Sequence, residues 1–132
     1  MSFLLDTDTC SAYVKGNPAV FNRFLQYGGG LAISSITLGE LLTWALRSQA
    51  APRRLQAVQD FLKLVTILDI TELEGWKFGE IRAALLDAGL PTPDMDLLNA
   101  SVALTRNLTL VTHIVKDYAQ VSGLRMADWL VP

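Results

Sequence analysis

Short, almost wholly apolar segments alternate along this chain with longer segments of helical periodicity. The apolar segments lie at residues 3–5, 31–34, 65–68 and 108–111. Between them, leucine and alanine recur at the three- and four-residue spacing of amphipathic helices, as they do over residues 38–46. Strands without a polar face are typical of parallel sheets that helices cover on both sides. The pattern predicts an α/β protein with a central parallel sheet of about four to five strands flanked by helices.

The length and composition of the chain set further limits. Its 132 residues fit one domain, without repeats or a Pro/Gly-rich linker, so we expect a single domain over residues 1–132. A hydrophobic fraction of 51% excludes global disorder, because such a chain can bury a large core. No apolar run reaches the roughly 18 residues of a membrane span, and the N-terminus lacks a cationic signal-type region. We therefore expect a soluble, cytoplasmic protein that does not contact a membrane.

The cysteine and charge content exclude other classes of site. Cys10 is the only cysteine and His113 the only histidine, so neither an internal disulfide nor a Cys-rich zinc site can form. With no base evident beside it, Cys10 is expected to be a buried thiol. The net charge of −2 differs from that of general nucleic-acid binders, which are usually basic. Phosphate binding is compatible with this charge if several acids are gathered around a cation.

Acidic side chains follow or precede the predicted strands at points that a parallel sheet would bring together. They are Asp6, Asp8, Glu40, Asp94, Asp96 and Asp117. Ligands of open α/β sheets bind in the crevice beyond the carboxyl ends of the strands. Carboxylates that meet there without Lys or Arg can be ionised together only beside a cation, and oxygen ligands suit Mg²⁺ or Mn²⁺. A divalent ion in such a site supports hydrolysis of a phosphodiester.

Each acid also has a structural explanation. Thr37 to Glu40 matches a capping box, in which the Glu side chain bonds the backbone at the start of a helix. Asp94 and Asp96 lie at a predicted helix start, where Asp is favoured, and Asp117 fits a turn. Asp6 is the hardest to explain in this way, because an acid that ends an apolar strand is costly to bury without a partner.

The order and spacing of several motifs resemble a known family over nearly the whole chain. These motifs are Phe3-Leu4-Leu5-Asp6-Thr7-Asp8-Thr9, residues 33–41, Gly89-Leu90-Pro91, Asp96-Leu97-Leu98-Asn99-Ala100, residues 108–112 and residues 123–129. In these motifs the chain resembles the VapC-type toxins of bacterial toxin–antitoxin pairs, which are PIN-domain ribonucleases. The resemblance implies a PIN-like fold.

The resemblance also implies a set of site residues. Four acids would surround Mg²⁺ or Mn²⁺, with Asp6 and Asp96 as the principal ligands; the full set is Asp6, Glu40, Asp96 and Asp117. Asp8 stands where many relatives carry Asn, and Thr112 corresponds to a hydroxyl residue that lines the site. Asp94 has no counterpart, so we interpret it as a helix cap.

The sequence departs from the family pattern after Thr112. Relatives commonly carry two asparagines there, whereas this chain has His113 and Ile114. The departure bears on the local loop and therefore on the role of Asp117. His113 could contact RNA, but a surface or turn position is the stronger expectation, since imidazole near neutrality needs no ligand.

The resemblance further implies an activity and partners. The activity is metal-dependent hydrolysis of structured RNA, with transfer RNA as one candidate substrate and 5′-phosphate and 3′-hydroxyl products. The implied partners are a second copy of the chain, in a homodimer, and a VapB-like antitoxin. An antitoxin Arg or Lys would enter the acidic pocket in place of the cation.

Basic and aromatic residues supply candidate RNA contacts. The candidates for phosphate are Lys15, Arg47, Arg82, Arg106 and Lys116. Trp44 lies on the helical face of Glu40, away from the apolar stripe, and fits base stacking, antitoxin binding or a packing role equally. Trp76 and Trp129 are predicted to be core residues.

Two other functions remain open on the sequence alone. Asp6-Thr7-Asp8-Thr9-Cys10 is similar to the nucleophile motif of haloacid-dehalogenase phosphatases, although the later motifs of that family are missing. The second alternative is a catalytically inert module of the same fold, whose acidic pocket binds a basic partner.

Overall fold

The computed structural model describes residues 2–131 and contains one parallel sheet of five strands. The strands are β1 (Phe3–Leu5), β2 (Leu31–Ser34), β3 (Thr66–Leu68), β4 (Thr109–Val111) and β5 (Met126–Ala127). Their order across the sheet is β3-β2-β1-β4-β5, and every neighbouring pair is parallel. The predicted α/β class and strand number are therefore confirmed.

Six α-helices of the described chain flank this sheet. They are α1 (Thr7–Val14), α2 (Pro18–Tyr27), α3 (Ser35–Leu46), α4 (Pro52–Leu62), α5 (Glu72–Asp87) and α6 (Asp94–Thr105), and a short 3-10 helix (Val115–Tyr118) follows β4. None of them is long and apolar enough to cross a membrane.

The alternation of side chains along each strand divides the core into two layers. Leu4 packs in a cluster with residues of α5 and α6, whereas Leu5 packs in a second cluster with residues of α1 to α4. Ala32 and Ile33 divide in the same way along β2. Because both faces of the central strands are buried, these strands are apolar in sequence.

The ends of the sheet differ from the sequence prediction. β3 begins at Thr66 rather than at residue 65, and Thr66 and Ile67 are exposed because β3 is an edge strand. β5 covers only Met126 and Ala127, which is too short to produce a recognisable sequence pattern. The prediction of buried strands holds best for the centre of the sheet.

The two tryptophans predicted to be core residues have different positions. Trp129 is buried, as predicted, but Trp76 is 69% exposed, so the prediction for Trp76 was wrong. On α5, the residues that pack against the core include Phe78, Ile81 and Leu85, and this face of the helix excludes Trp76. Helical spacing alone did not specify which face of α5 meets the sheet.

Glu74 is a buried carboxylate on the inner face of α5. It accepts a 2.8 Å hydrogen bond from Nε of Arg106, and Nη2 of the same arginine donates to the carbonyl of Asp69. Burial alone would raise the pKa of Glu74, but hydrogen bonds from Thr71 and Arg106 outweigh burial and lower it. Arg106 is therefore a structural residue, and its candidacy as a phosphate contact is not supported by its position.

Arg106→Ala is expected to destabilise the fold by about 2–4 kcal/mol, because it leaves the Glu74 carboxylate buried without its cation. Urea denaturation at pH 7.5 measures the free energy of unfolding. Lys77→Ala is the control, since it removes an exposed Lys77–Glu80 ion pair and should cost at most about 1 kcal/mol. Equal losses in the two variants would contradict a stabilising role for the buried pair.

Candidate metal centre

Asp6 lies at the carboxyl end of β1, at the centre of the sheet, and is only 4% exposed. One of its carboxylate oxygens accepts hydrogen bonds from the backbone N–H of Thr7 and from Nδ2 of Asn99, at 3.0 and 3.2 Å. The other accepts from the hydroxyls of Thr112 and Tyr118, at 3.0 and 2.9 Å. These donors come from four parts of the chain, so the buried carboxylate is held in one orientation.

Glu40 is positioned by α3, which begins earlier than the sequence suggested. Ser34 is the N-cap residue, and its hydroxyl accepts from the backbone N–H of Thr37. Glu40 therefore lies in the second turn of α3, and the capping-box interpretation was wrong. Its carboxylate instead accepts a 2.6 Å hydrogen bond from the hydroxyl of Thr7, the residue after Asp6.

Asp94 and Asp96, both in the first turn of α6, have different surroundings. Pro93 is the N-cap residue, and no side chain caps this helix. Asp94 points to Arg82, at 3.2 Å between carboxylate oxygen and Nε, so its interpretation as a helix cap was wrong. Asp96 precedes Asn99 by three residues and thus lies on the same helical face.

The pKa of Asp96 is raised by its surroundings. Burial raises its pKa to about 6, and the negative charges of Asp6, Asp117 and Glu40 contribute to the rise. The nearby hydroxyl of Tyr118 offsets part of this effect. Asp6, Glu40 and Asp117 are therefore each near enough to Asp96 to act on its charge, so the four acids that the family resemblance implied lie in one region.

Tyr118 is the most buried of the large polar side chains around this region. Burial raises the pKa of its hydroxyl far above the usual value, and the charges of Asp6 and Asp96 raise it further. Tyr118 is therefore protonated at neutral pH and donates its hydrogen to Asp6. It follows Asp117 directly, in the 3-10 helix after β4.

Asp8 and His113 connect α1 to the loop after β4. The carboxylate of Asp8 accepts from the backbone N–H of Thr9 and of His113, at 2.7 and 2.9 Å. Burial raises the pKa of Asp8, although the bond from His113 partly opposes this. The imidazole of His113 is 53% exposed, with Nδ1 at 2.9 Å from a carboxylate oxygen of Asp128, which agrees with the expected surface position.

Cys10 lies beneath the acids and has no room to act as a nucleophile. It is fully buried in the core, and its sulfur contacts the carbonyl of Leu5 at 4.0 Å. Burial raises the pKa of its thiol well above the usual value, as do the nearby charges of Asp6 and Asp8. The expectation of a buried thiol is confirmed.

Sequence reasoning named Thr112 as a hydroxyl residue of the site but missed Asn99 and Tyr118, which also hold Asp6. Asn99 is 2% exposed and contacts Ser34, at 2.5 Å between oxygens, as well as Asp6. An amide inside the apolar run of α6 was a usable signal, since a buried amide needs partners. Tyr118 gave no such signal, because only the tertiary structure brings its hydroxyl to Asp6.

The donor chemistry of this region fits a hard divalent cation. Five carboxylates lie here, and within residues 2–131 no Lys or Arg makes an ion pair with any of them; they are Asp6, Asp8, Glu40, Asp96 and Asp117. Across the same residues, no three acidic, His or Cys side chains are close enough to enclose an ion by themselves. Mg²⁺ typically retains several waters and takes one or two carboxylates, which this arrangement can supply.

A parallel sheet with acidic residues at the carboxyl ends of its strands is the arrangement of a family that a comparison with known proteins identifies. Residues 3–120 match the PIN domain family, and the chain therefore belongs to that family. It is 36% identical over 130 residues to the tRNA(fMet)-specific endonuclease VapC of Shigella flexneri, with 98% of each chain covered. It is 31% identical over 131 residues to Ribonuclease VapC2 of Haemophilus influenzae, covering 98% of this chain and 99% of the relative.

Solved structures agree with this assignment. The DNA-bound VapBC crystal structure from Salmonella typhimurium contains a chain with a TM-score of 0.92 and 35% identity, with 98% of each chain covered. VapBC2 from Rickettsia felis, bound to a promoter DNA fragment, gives a TM-score of 0.91 and 30% identity, with coverage of 98% and 99%. The resemblance to VapC-type proteins and the PIN-like fold are both confirmed.

Proposed function

We propose that this protein is the toxin of a type II toxin–antitoxin pair and an endoribonuclease that depends on Mg²⁺ or Mn²⁺. The observation that carries the proposal is the buried Asp6 carboxylate beside Asp96, Glu40 and Asp117, in a chain related over its full length to VapC ribonucleases. Acids gathered without a neutralising Lys or Arg need a cation, and a phosphodiester needs the charge that this cation brings.

Each residue of the site has a proposed role. Asp6 and Asp96 hold the cation, and Glu40 and Asp117 orient the attacking water or accept its proton. When bound, the cation supplies Lewis acidity and neutralises charge on the scissile phosphate. Thr112, in the same network, keeps Asp6 in position through its hydrogen bond.

Asp8 has a supporting role in this proposal. It accepts from the backbone N–H of His113 and so fixes the loop that carries Thr112. Its carboxylate thereby helps to keep the start of α1 and the end of β4 in register around Asp6.

The substrate proposed is structured RNA with a single-stranded or looped target. Two relatives are named tRNA(fMet)-specific endonucleases, so transfer RNA is the first substrate to test. Hydrolysis by an attacking water yields 5′-phosphate and 3′-hydroxyl ends. The inert-module alternative predicts no new ends, and the phosphatase alternative has lost its support, because the family match is to PIN domains.

The partners proposed are a second copy of the chain and a VapB-like antitoxin, all in the cytoplasm. Solved relatives are VapBC complexes, which contain both components of such a pair. In the complex, a basic antitoxin side chain would replace the cation among the carboxylates.

Mapping of RNA 5′ ends after induced expression tests the proposed function. Wild-type protein is expected to produce new 5′-phosphate ends at discrete sites and to stop growth, whereas Asp6→Asn produces neither. Asp60→Asn, a change of the same kind on an exposed acid of α4, should behave as wild type. Glu40→Gln serves as a second site variant if Asp6→Asn accumulates poorly. New ends that persist in both site variants, or no new ends with wild type, would contradict the proposal.

A further inference from the structure

We propose that Trp44 and Arg54, with Arg47 and Arg53, bind the RNA strand beside the bond that is cut. We call these four residues the arginine–tryptophan patch. The inference rests on the proposed ribonuclease function and adds to it a substrate-binding surface. A base would stack on the guanidinium of Arg54, and Arg47 and Arg53 would contact backbone phosphates.

The patch lies where two helices meet, close to the acidic site. Trp44 follows Glu40 by four residues on α3, so it lies on the same helical face about 6 Å further along the axis. Arg47 is the C-cap residue of α3, and Arg53 and Arg54 lie in the first turn of α4. Because α3 and α4 pack together, the arginines of α4 adjoin the α3 face that carries Glu40 and Trp44.

Arg54 is held in a fixed orientation by Trp44. Its guanidinium carbon lies 4.9 Å from the centroid of the indole ring, and Nη1 donates to the carbonyl of Trp44 at 3.3 Å. Both side chains are half-buried, so part of this pair faces solvent. Guanidinium planes and aromatic rings are the groups on which proteins stack unpaired RNA bases. An arginine that is already fixed on an indole loses little entropy when a base stacks on it.

The charge of the patch is not neutralised by the protein. Within the described part of the chain, no Asp or Glu forms an ion pair with Arg47, Arg53 or Arg54. Lys63, Lys77, Arg82 and Arg106 do have such partners. In the same part of the chain, Lys15, Arg23, Lys116 and Arg125 have none either, so the patch is distinguished by the closeness of its arginines along α3 and α4. The helix dipole disfavours cations at the start of a helix, where Arg53 and Arg54 lie. The first turn of α4 contains no acid that would offset this effect. Three arginines on two adjoining helix ends, none paired with a carboxylate of the described chain, concentrate positive charge that fits an anionic ligand.

RNA fits this surface better than a protein segment does. The patch offers concentrated positive charge and stacking planes rather than an apolar groove. It also continues along α3 from Glu40, so one strand could reach both the patch and the carboxylates. An antitoxin segment is the competing occupant, and the test below distinguishes it.

The test measures binding of a fluorescein-labelled single-stranded oligoribonucleotide by anisotropy, with Asp96→Asn as the non-cleaving parent. Adding Arg54→Ala is expected to weaken binding about 10-fold, in the range that stacking contributes per base. Arg54→Lys keeps the positive charge but removes the planar guanidinium, and we expect RNA affinity to fall about threefold. Arg53→Ala should reduce the slope of log affinity against log salt by about one.

The control variant removes an arginine at the opposite edge of the sheet. Arg125 precedes β5 and donates to the carbonyl and side-chain oxygens of Asn107, so Arg125→Ala should leave RNA affinity within about twofold. In the active chain, Arg54→Ala should raise KM for RNA and change kcat little, as expected for a residue that binds without touching the reacting atoms.

Unchanged RNA affinity in both Arg54 variants would overturn the inference, even if the wild type cleaves RNA. Loss of affinity for the purified cognate antitoxin, with RNA binding intact, would also overturn it and assign the patch to the antitoxin. RNA binding that depends on Arg54 in a chain that cleaves no RNA would support the patch and refute the proposed ribonuclease. Melting temperatures verify that each variant is folded.

Discussion

Asp96→Asn is expected to lower metal-dependent RNA cleavage by at least about 100-fold while leaving the metal-free protein as stable as the wild type or more so. The loss follows because even residues behind the ligands of a metal site contribute about 10- to 100-fold, and Asp96 is proposed to hold the ion itself. The gain follows because burial and the charge of Asp6 disfavour the ionised form of Asp96 in the fold. A neutral amide of the same shape removes that repulsion.

The two readouts are the initial rate of RNA cleavage and the melting temperature in EDTA at pH 7.5. We expect a rise in melting temperature of about 2–4 °C for Asp96→Asn. Asp94→Asn is the matched control, two residues earlier on the same helix, where the carboxylate is exposed and paired with Arg82. It should keep cleavage within about twofold of wild type. Equal cleavage by the two variants would remove Asp96 from the site.

Removal of the divalent cation is expected to abolish cleavage, and Mn²⁺ should stabilise the fold about twice as much at pH 7.5 as at pH 5. At a concentration of about 100 times its Kd, an ion that binds only the folded state adds about 2.7 kcal/mol to the free energy of unfolding. The pKa of Asp96 is about 6, so at pH 5 most molecules carry a proton where the cation would bind. Melting curves with EDTA or Mn²⁺ at both pH values measure the difference.

The metal-free protein should show the opposite trend with pH. Asp96 has a pKa of about 6 when folded, against an ordinary value of 3.8. Between these values the folded state binds more protons than the unfolded state, so the contribution of Asp96 to stability is lost as the pH rises toward 6. Glu74 acts in the reverse sense, since its pKa is lowered, but only below its ordinary value of 4.5. The melting temperature in EDTA should therefore fall between pH 5 and pH 6.5, and less so in Asp96→Asn. An equal effect of Mn²⁺ at both pH values would refute the assignment of Asp96.

The sequence determined the layer architecture because a strand that is buried on both faces must be apolar at consecutive positions. Leu4 and Leu5 must both be apolar if adjacent side chains enter different cores, and the same holds for Ala32 and Ile33. The position of Asp6 at the end of such a strand then located the acidic edge without knowledge of any contact. Its cost of burial made it the most informative single residue.

Neighbouring residues of like chemistry could not be separated in this way. Asp94 and Asp96 are both acids in the first turn of α6, yet one faces Arg82 and the other the carboxylates. Glu40 fitted a capping box until the structure placed the helix start at Ser35. Both outcomes depend on helix phase and on where the helix begins, and local propensity does not specify a helix start to within a few residues.

By itself, then, the sequence determined the parallel sheet, the edge at which its acids meet and the family to which the chain belongs. Only the tertiary structure decided that Tyr118 and Asn99 hold Asp6, that Arg106 serves Glu74 rather than RNA, and that Trp76 faces solvent. The physical reason is the range of the interactions. Periodicity and strand ends are fixed by neighbours in the chain, whereas a buried hydrogen bond or ion pair depends on groups that are distant in sequence and meet only in the packed core.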